Sequence, residues 1–349
     1  MPIKLSICIP TYNRLNFLPG TVDSILKQYV AGLQIVISDN CSTDGTKEWV
    51  NKLIGDHPEY NIKYYCWDKN MGADLNYMKA IEIADGEYCW FMGSDDQIKE
   101  GAVKLILSKL SNEYDAMLFC RTLCDVNLIP YGKDYALRKK LNEGLFDFSN
   151  NDELTFYLRM ATNLSALFSY LSTIIIKKTA WEEIVLDDTF IGSAYSHVFK
   201  IFSFLRKGGV LYYSKESIVF TRVGNDSFQT QHINDRLVLD LDGYFKLANH
   251  FFPSDLRMKN CFWIPLRRWH SWKSLYKARI NVQNEKEWII LRRKLLMLNF
   301  SKVKLLTISY SYPMFNLLLK IHQFFIKKAS DKLRFNSYMP FRSLYSREK

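Results

Sequence analysis

The stretch Lys4-Leu5-Ser6-Ile7-Cys8-Ile9-Pro10-Thr11-Tyr12-Asn13-Arg14 is a short apolar run that stops at a proline and opens into a polar loop. Working outward from it, Leu18–Gln28 spaces its apolar residues as a helix does, and Gln34–Ser38 is a second β-branched run. Thr43–Ile54 is amphipathic again, opened by the cap-like Ser42 and Asp44. Ile62–Cys66 reads as a third strand, Asn70–Ala84 as a third helix, and Tyr88–Met92 as a fourth strand running into Gly93-Ser94-Asp95-Asp96. The alternation βαβαβαβ predicts an α/β fold, a mostly parallel sheet covered by helices. Ligands of such sheets bind outside the carboxyl ends of the strands, so the polar residues just after each strand are the ones to interrogate.

With 349 residues, 48% hydrophobic and 24% charged, the chain has the makings of about two globular domains. Disordered, collagen-like and small disulfide-scaffold classes are excluded. Charge is uneven. Arg257–Lys349 holds 21 Lys and Arg against 4 Asp and Glu, a net +17, which leaves 26 against 32, or −6, for residues 1–256 of the total +11. Beyond Asn234 the pattern is wholly helical, with bases among aromatics at Trp263, Arg267, Arg268, Trp269, Trp272, Lys273, Tyr276 and Lys277. Two regions are therefore expected, an α/β domain over 1–230 and a basic helical region over 231–349. The basic region suits nucleic acid, an anionic bilayer surface or diphosphate-bearing substrates. Seven scattered cysteines read as reduced core thiols, with no second Cys/His pair beside Cys120 and Cys124 to complete a zinc site. The N-terminal apolar run is too short for a signal peptide, and no apolar run reaches the ~20 residues of a membrane span. A cytoplasmic protein that can lie on a membrane is expected.

Strand one ends in Pro10-Thr11-Tyr12-Asn13-Arg14, strand two in Ser38-Asp39-Asn40-Cys41-Ser42-Thr43-Asp44-Gly45, and strand four in Gly93-Ser94-Asp95-Asp96. Each alone is an ordinary turn or helix cap. Together at one sheet edge they suit a nucleoside diphosphate. An aromatic and an acid hold the base, and two adjacent acids hold a ribose hydroxyl and a divalent cation on the diphosphate. The chain has no G-x-G-x-x-G fingerprint, P-loop or nucleophile elbow, which removes support for dehydrogenase, NTPase and esterase readings.

The blocks Ser6–Arg14, Ile37–Thr46, Asn70-Met71-Gly72 and Asp85-Gly86-Glu87-Tyr88 leading into Ser94-Asp95-Asp96 resemble the family-2 nucleotide-sugar glycosyltransferases of GT-A fold. Further on, Phe168–Ser172, Ile191–Phe199 and Gly224–Phe228 are similar to the abequosyltransferases of bacterial O-antigen assembly. The resemblance implies a CDP-linked 3,6-dideoxyhexose such as abequose as donor and a polyprenyl-diphosphate-linked oligosaccharide as acceptor, on the inner face of the plasma membrane. It implies that Tyr12 packs on the base within a pocket that includes Pro10, Thr11, Arg14 and Asn70, and that Asp39 reads the base edge. Asp95 would reach the ribose or sugar, and Asp96 would ligate Mn²⁺ or Mg²⁺. Arg222, with Asn225, Asp226 and Ser227, would form the loop that closes over the diphosphate.

Two departures stand out. Gly93 occupies a position where the family usually has an acid, and Ser196-His197 stands where it usually supplies a carboxylate base. His197 is then the base candidate, with Asp187 and Asp188 as alternative carboxylates that equally suit a turn or cap. A UDP-hexose donor is an alternative. The rival from another class is a nucleic-acid-binding protein, for which the aromatic and basic tail is the motive; the acidic front half and its nucleotide constellation argue for no nucleic-acid partner.

Overall fold

The computed structural model describes residues 2–110, 113–224, 234–282, 284–314 and 317. The chain divides into two compact units, Met1–His270 and Ser271–Lys349. In the first unit, β1 (Leu5–Thr11), α1 (Leu18–Leu26), β2 (Leu33–Asp39), α2 (Thr46–Asp56), β3 (Ile62–Cys66), α3 (Ala73–Glu82) and β4 (Tyr88–Phe91) alternate as expected. Then come β5 (Gln97–Ile98), α4 (Ala102–Lys109), β6 (Ala116–Cys124), β7 (Pro130–Asp134), β8 (Glu143–Asp147), α5 (Asn151–Met160), β9 (Ile174–Lys177), α6 (Lys178–Glu182), α7 (Ser196–Arg206) and β10 (Val210–Arg222). The unit ends with α8 (Asp235–Phe251), α9 (Leu256–Phe262) and α10 (Ile264–Trp269).

The strands form one sheet in the order β3-β2-β1-β4-β9-β6-β10-β5, with β7 beside β6 and β8 beside β10. β1 pairs in parallel with β2 and β4, and β2 with β3. β9 is inserted antiparallel between β4 and β6, and β10 runs parallel to β6. Two antiparallel steps restore direction, so β6 and β10 point the same way as β1, β2 and β4. Their tips, Cys124 and Arg222, therefore reach the same edge as Thr11 and Asp39. The sequence suggests separate strand-like pieces at Val210–Tyr213 and Ser217–Thr221; the structure joins them in β10, with irregular register around Ser217.

Helices cover both faces, which is why β1 and β2 are buried along their whole length instead of alternating. Ile7, Ile9, Ile35, Ile37, Trp90 and Ile175 are among the core residues, each large apolar side chain contributing ~1.5–3 kcal/mol when fully buried.

The unit boundary falls after His270 and not near residue 230, because α8 to α10 are packed into the first unit. Tyr244 Oη donates to Leu167 O at 3.2 Å, Trp263 Nε1 to Tyr244 O at 3.2 Å, and Arg268 Nη1 to Arg159 O at 2.9 Å. A Cβ on Gly243 of α8 would lie 2.2 Å from the Tyr195 ring, so the helix approaches that ring only because this residue has no side chain.

The second unit holds α11 (Trp272–Asn281) and α12 (Glu285–Met297). Trp288, Leu291 and Leu295 are buried in it, Trp288 Nε1 donates to Ser309 Oγ at 2.9 Å, and the Arg279 guanidinium lies 3.6 Å from the Tyr312 ring centre. Among the described residues no helix is long and apolar enough to cross a membrane. All seven cysteines are free thiols, five of them buried.

Candidate active site

A cleft of about 660 Å³ opens at the carboxyl edge of the sheet. Of the residues singled out in the sequence, Pro10, Thr11, Tyr12, Arg14, Asn70, Asp95, Asp96, His197 and Arg222 line it. The first two strand tips are tied to each other. Asn13, in the left-handed region at φ 51°, donates its N–H to Ser42 Oγ at 2.8 Å and accepts from Thr43 N at 2.8 Å, while Leu15 N donates to Asp44 Oδ2 at 2.8 Å. Asn tolerates this backbone conformation better than most residues. Ser42 and Asp44 thus brace one tip against the other besides preceding α2.

Tyr12 is 44% exposed at the lip, a flat surface suited to a base. The Thr11 hydroxyl is buried in the cleft wall without a hydrogen-bond partner, a group ready for a ligand. Asp39 differs from expectation. It is 0% exposed and does not line the cleft. Its Oδ1 accepts from Ser42 N at 2.9 Å and its Oδ2 from the Tyr64 phenol at 2.8 Å. Burial, and then the bond to Asp39, push the Tyr64 phenol far above its ordinary pKa, so it remains a donor. Asp39 braces the turn from within, and Asn40 is the residue of that tip that faces the cleft. Asn40 Nδ2 donates to Asn70 Oδ1 at 2.8 Å and its Oδ1 accepts from Met71 N at 2.7 Å, which fixes both amides.

The acidic loop sits under α1, where Thr21 Oγ1 donates to Asp96 O at 2.7 Å. Asp96 is 2% exposed. Its carboxylate accepts from the Tyr170 hydroxyl, 2.9 and 3.0 Å from its two oxygens, and from Ser172 Oγ at 2.5 Å. Burial, reinforced by the negative charge of Asp95, pushes its pKa up to about 7. Behind Tyr170 stands Arg121, its guanidinium 3.6 Å from the ring centre and its Nε 2.8 Å from Asp134 Oδ2. Arg222 donates through Nη1 to Asp95 O at 2.7 Å and through Nε to Val126 O at 3.1 Å. Arg222 and Arg14 lie 4.9 and 5.8 Å from the centre of one ring, that of Phe17.

The donor set suits a hard divalent cation. A Cβ at Gly93 would lie 2.9 Å from Asp96 Oδ2 and 3.3 Å from Asp95 Oδ1, so the absent side chain leaves a cradle against both carboxylates. Among the described residues no group of three or more His, Cys, Asp or Glu forms a complete cage. Mg²⁺ is commonly held in just this partial way, by one or two carboxylates with substrate phosphates and water.

His197, the base candidate, follows the polar segment and is itself enclosed. It is 2% exposed, at the start of α7, with Nε2 2.9 Å from Phe168 O. Donation from Nε2 leaves Nδ1 an acceptor, and Nδ1 has no partner. Burial pushes the imidazole down to about 4, so it is a weak proton acceptor at neutral pH. The segment before it hangs on Asp74, which accepts from Gly192 N at 2.8 Å, Ala194 N at 3.0 Å and Ser196 Oγ at 2.6 Å. Asp187 caps a short turn through Thr189 N at 2.9 Å, and neither it nor Asp188 lines the cleft. Ser227, Asn225 and Asp226 lie outside the described residues.

Sequence reasoning gave no role to Arg121, Asp134, Tyr170, Ser172 or Arg236 and placed Trp269 only among the aromatics of the basic region, yet all six line the cleft. Tyr170 and Ser172 lay in a block notable only for its resemblance; Arg121, Asp134 and Arg236 carried no local signal.

The model of the family described as glycosyl transferase family 2 matches residues 6–188. Abequosyltransferase RfbV of Salmonella typhimurium is 33% identical over 261 residues, 74% of this chain and 78% of its own. The GalNAc(5)-diNAcBac-PP-undecaprenol beta-1,3-glucosyltransferase of Campylobacter jejuni is 33% identical over 112 residues, 32% of this chain and 36% of its own. In fold, residues 1–349 of S. aureus TarS in complex with UDP-GlcNAc superpose with a TM-score of 0.62 at 17% identity, over 89% of this chain and 92% of that one. Mannosyltransferase PcManGT from Pyrobaculum calidifontis, solved with GDP-Man and Mn²⁺, gives a TM-score of 0.50 at 12% identity, over 88% and 86%.

Proposed function

Because this chain belongs to glycosyl transferase family 2, we propose that its cleft takes a CDP-linked 3,6-dideoxyhexose such as abequose and transfers the sugar to a hydroxyl of a polyprenyl-diphosphate-linked oligosaccharide. The observation that carries the reading is the meeting, at one sheet edge, of the paired guanidiniums of Arg14 and Arg222 with the acids Asp95 and Asp96. Tyr12 stacks on the base, with Thr11 Oγ1 and the Asn40 and Asn70 amides along its edge. Arg14 and Arg222 hold the diphosphate, whose negative charge grows as the glycosidic bond to phosphate breaks; fixed donors aimed at that charge lower the barrier. Asp96 with Asp95 would hold Mn²⁺ or Mg²⁺, which when bound neutralises the departing diphosphate. Asp95 also faces the ribose or sugar.

The second unit supports placement on an anionic bilayer, at the inner face of the plasma membrane. Ile289, Ile290 and Met297 of α12 are exposed on the same helix as Arg292, Arg293 and Lys294, the mixture that suits a headgroup surface.

Thermal stabilisation by CDP, UDP, GDP and dTDP with Mn²⁺ tests the donor. A ligand at a hundredfold excess over its Kd adds ~2.7 kcal/mol. CDP is expected to give the largest rise in melting temperature. A larger rise with UDP would reassign the donor to a UDP-hexose, and no rise with any of the four would overturn the reading.

A further inference from the structure

A nucleoside diphosphate held by Tyr12, Arg14, Arg222 and the acid loop leaves other residues of the cleft lining uncommitted. Two large aromatic side chains are among them, contributed by distant parts of the first unit. Trp269, at the end of α10, is 46% exposed, and Tyr131, on the edge strand β7, is 61% exposed; both line the cleft. Trp269 is held by its chain neighbours. Arg268 Nη1 donates to Arg159 O at 2.9 Å, and His270 Nε2 lies 3.2 Å from Oδ2 of the fully buried Asp240. A large half-exposed ring on a backbone anchored at both neighbours offers area to a ligand in the cleft.

An independent observation points to the kind of ligand. His197 lines the same cleft, and its buried Nδ1 accepts no hydrogen bond although Nε2 is committed to Phe168 O. A buried acceptor left unsatisfied calls for an O–H or N–H from outside the protein. A ligand that combines an apolar face, for the rings, with O–H or N–H donors meets both features. A pyranose has both: axial C–H groups form a flat apolar face and hydroxyls project from its rim.

We propose that Trp269 and Tyr131 wall an acceptor-saccharide subsite in which a pyranose ring stacks on the indole and one of its hydroxyls donates to His197 Nδ1. The proposal rests on the glycosyltransferase reading and adds to it the place and chemistry of the acceptor. His197 here binds and orients a hydroxyl. A nucleobase is the competing occupant for an aromatic wall, but Tyr12 already provides a stacking surface beside the diphosphate groups.

Saturation-transfer NMR on the full chain with CDP and Mg²⁺ tests it, using the methyl α-glycosides of mannose, galactose and rhamnose as probes. Wild type is expected to give signals from at least one glycoside. Trp269→Ala is expected to weaken that binding about tenfold while the CDP signal persists, and Trp269→Phe, which keeps a ring, to retain most of it. Unchanged glycoside binding in Trp269→Ala would overturn the proposal, as would loss of the CDP signal in that variant, which would give Trp269 to the nucleotide. No glycoside signal from wild type with CDP bound would also overturn it. Failure of the donor reading shows separately, as absence of signal from CDP, UDP, GDP and dTDP alike, and the glycoside arm is read without nucleotide in that case.

Discussion

The hydroxyl of Tyr170 lies between the two carboxylate oxygens of Asp96, 3.0 Å from one and 2.9 Å from the other, and the ring that carries it is stacked under Arg121. The acid proposed to hold the cation is therefore oriented from behind by a residue 74 positions away in sequence. Groups that orient a ligating carboxylate typically carry ~10–100-fold in metal affinity. Tyr170→Phe is expected to weaken Mn²⁺ binding by that factor, read by electron paramagnetic resonance titration with CDP present. An unchanged Mn²⁺ affinity would leave Tyr170 a packing residue. Asp96→Ala is expected to lower turnover ~10²–10³-fold. It also strands the Tyr170 and Ser172 hydroxyls in a buried site, so a lowered melting temperature accompanies the loss; a turnover above about a tenth of wild type would refute the metal role.

Arg222 braces the acid loop through Asp95 O and shares the Phe17 ring with Arg14. Removing a fixed charge that meets the leaving group costs ~10²–10³-fold in kcat, so Arg222→Ala is expected to fall by that much. Arg222→Lys keeps the charge without the planar fork and is expected to fall between. Steady-state kinetics on the donor decide it: equal kcat in all three proteins would reduce Arg222 to a loop brace.

The sheet edge was legible because its signals are local. Continuous apolar runs mark strands covered on both faces, and the tips of β1, β2 and β4 interrupt such runs with polar loops. What escaped the sequence is long-range. Ser172 reaches Asp96 across 76 positions, and β9 enters antiparallel between β4 and β6 because pairing order is set by packing and not by periodicity. Asp39 ends β2 much as Asp95 follows β4, yet Tyr64 and Ser42 consume its oxygens inside the fold. No pattern within one tip distinguishes an acid that faces the cleft from one that braces the turn. The same holds for α8, whose helical signal carried no mark of its packing on Tyr195.

His197 gives the first unit an acid sensitivity. The folded imidazole stays neutral down to about pH 4, chiefly because it is buried, with Asp74 favouring and Arg236 opposing its charge. The unfolded chain protonates it below about 6.5. Between those values the unfolded state binds the extra proton, so stability falls as pH drops through that window, on the order of 3 kcal/mol in all. Urea midpoints taken between neutral pH and pH 4 are expected to decline in wild type and to decline less in His197→Gln. Parallel declines would assign the sensitivity to other groups.

Gly243 is expected to tolerate no side chain. A Cβ there would meet the Tyr195 ring at 2.2 and 2.7 Å, and that ring is flanked by Tyr244 and hydrogen-bonded through its hydroxyl to buried Asp240. It cannot swing aside without breaking that bond. Gly243→Ala is therefore expected to cost ~1–3 kcal/mol, although alanine is the better helix former by ~1 kcal/mol at an unencumbered site. Chemical denaturation measures it, and a stabilised variant would show that the α8 backbone shifts freely.

The second unit supplies the last test. From Ser271 to Lys349 the chain holds 17 Lys and Arg against 4 Asp and Glu, a net +13, and α12 sets exposed Ile289, Ile290 and Met297 among Arg292, Arg293 and Lys294. Each base at an anionic surface adds ~1 kcal/mol, an attraction confined to a Debye length of ~8 Å at physiological salt. The full chain is expected to co-sediment with phosphatidylglycerol-containing liposomes and not with phosphatidylcholine alone, and to be released by high salt. Reversing Arg292 and Arg293 to Glu changes the local charge by four, enough to abolish binding if this helix faces the lipid. Ile290→Ser is expected to weaken it without altering the salt dependence, since it removes an apolar contact and changes no charge. Binding that ignores salt and lipid charge, or that survives both substitutions, would leave α12 without a membrane role and the basic charge to another partner.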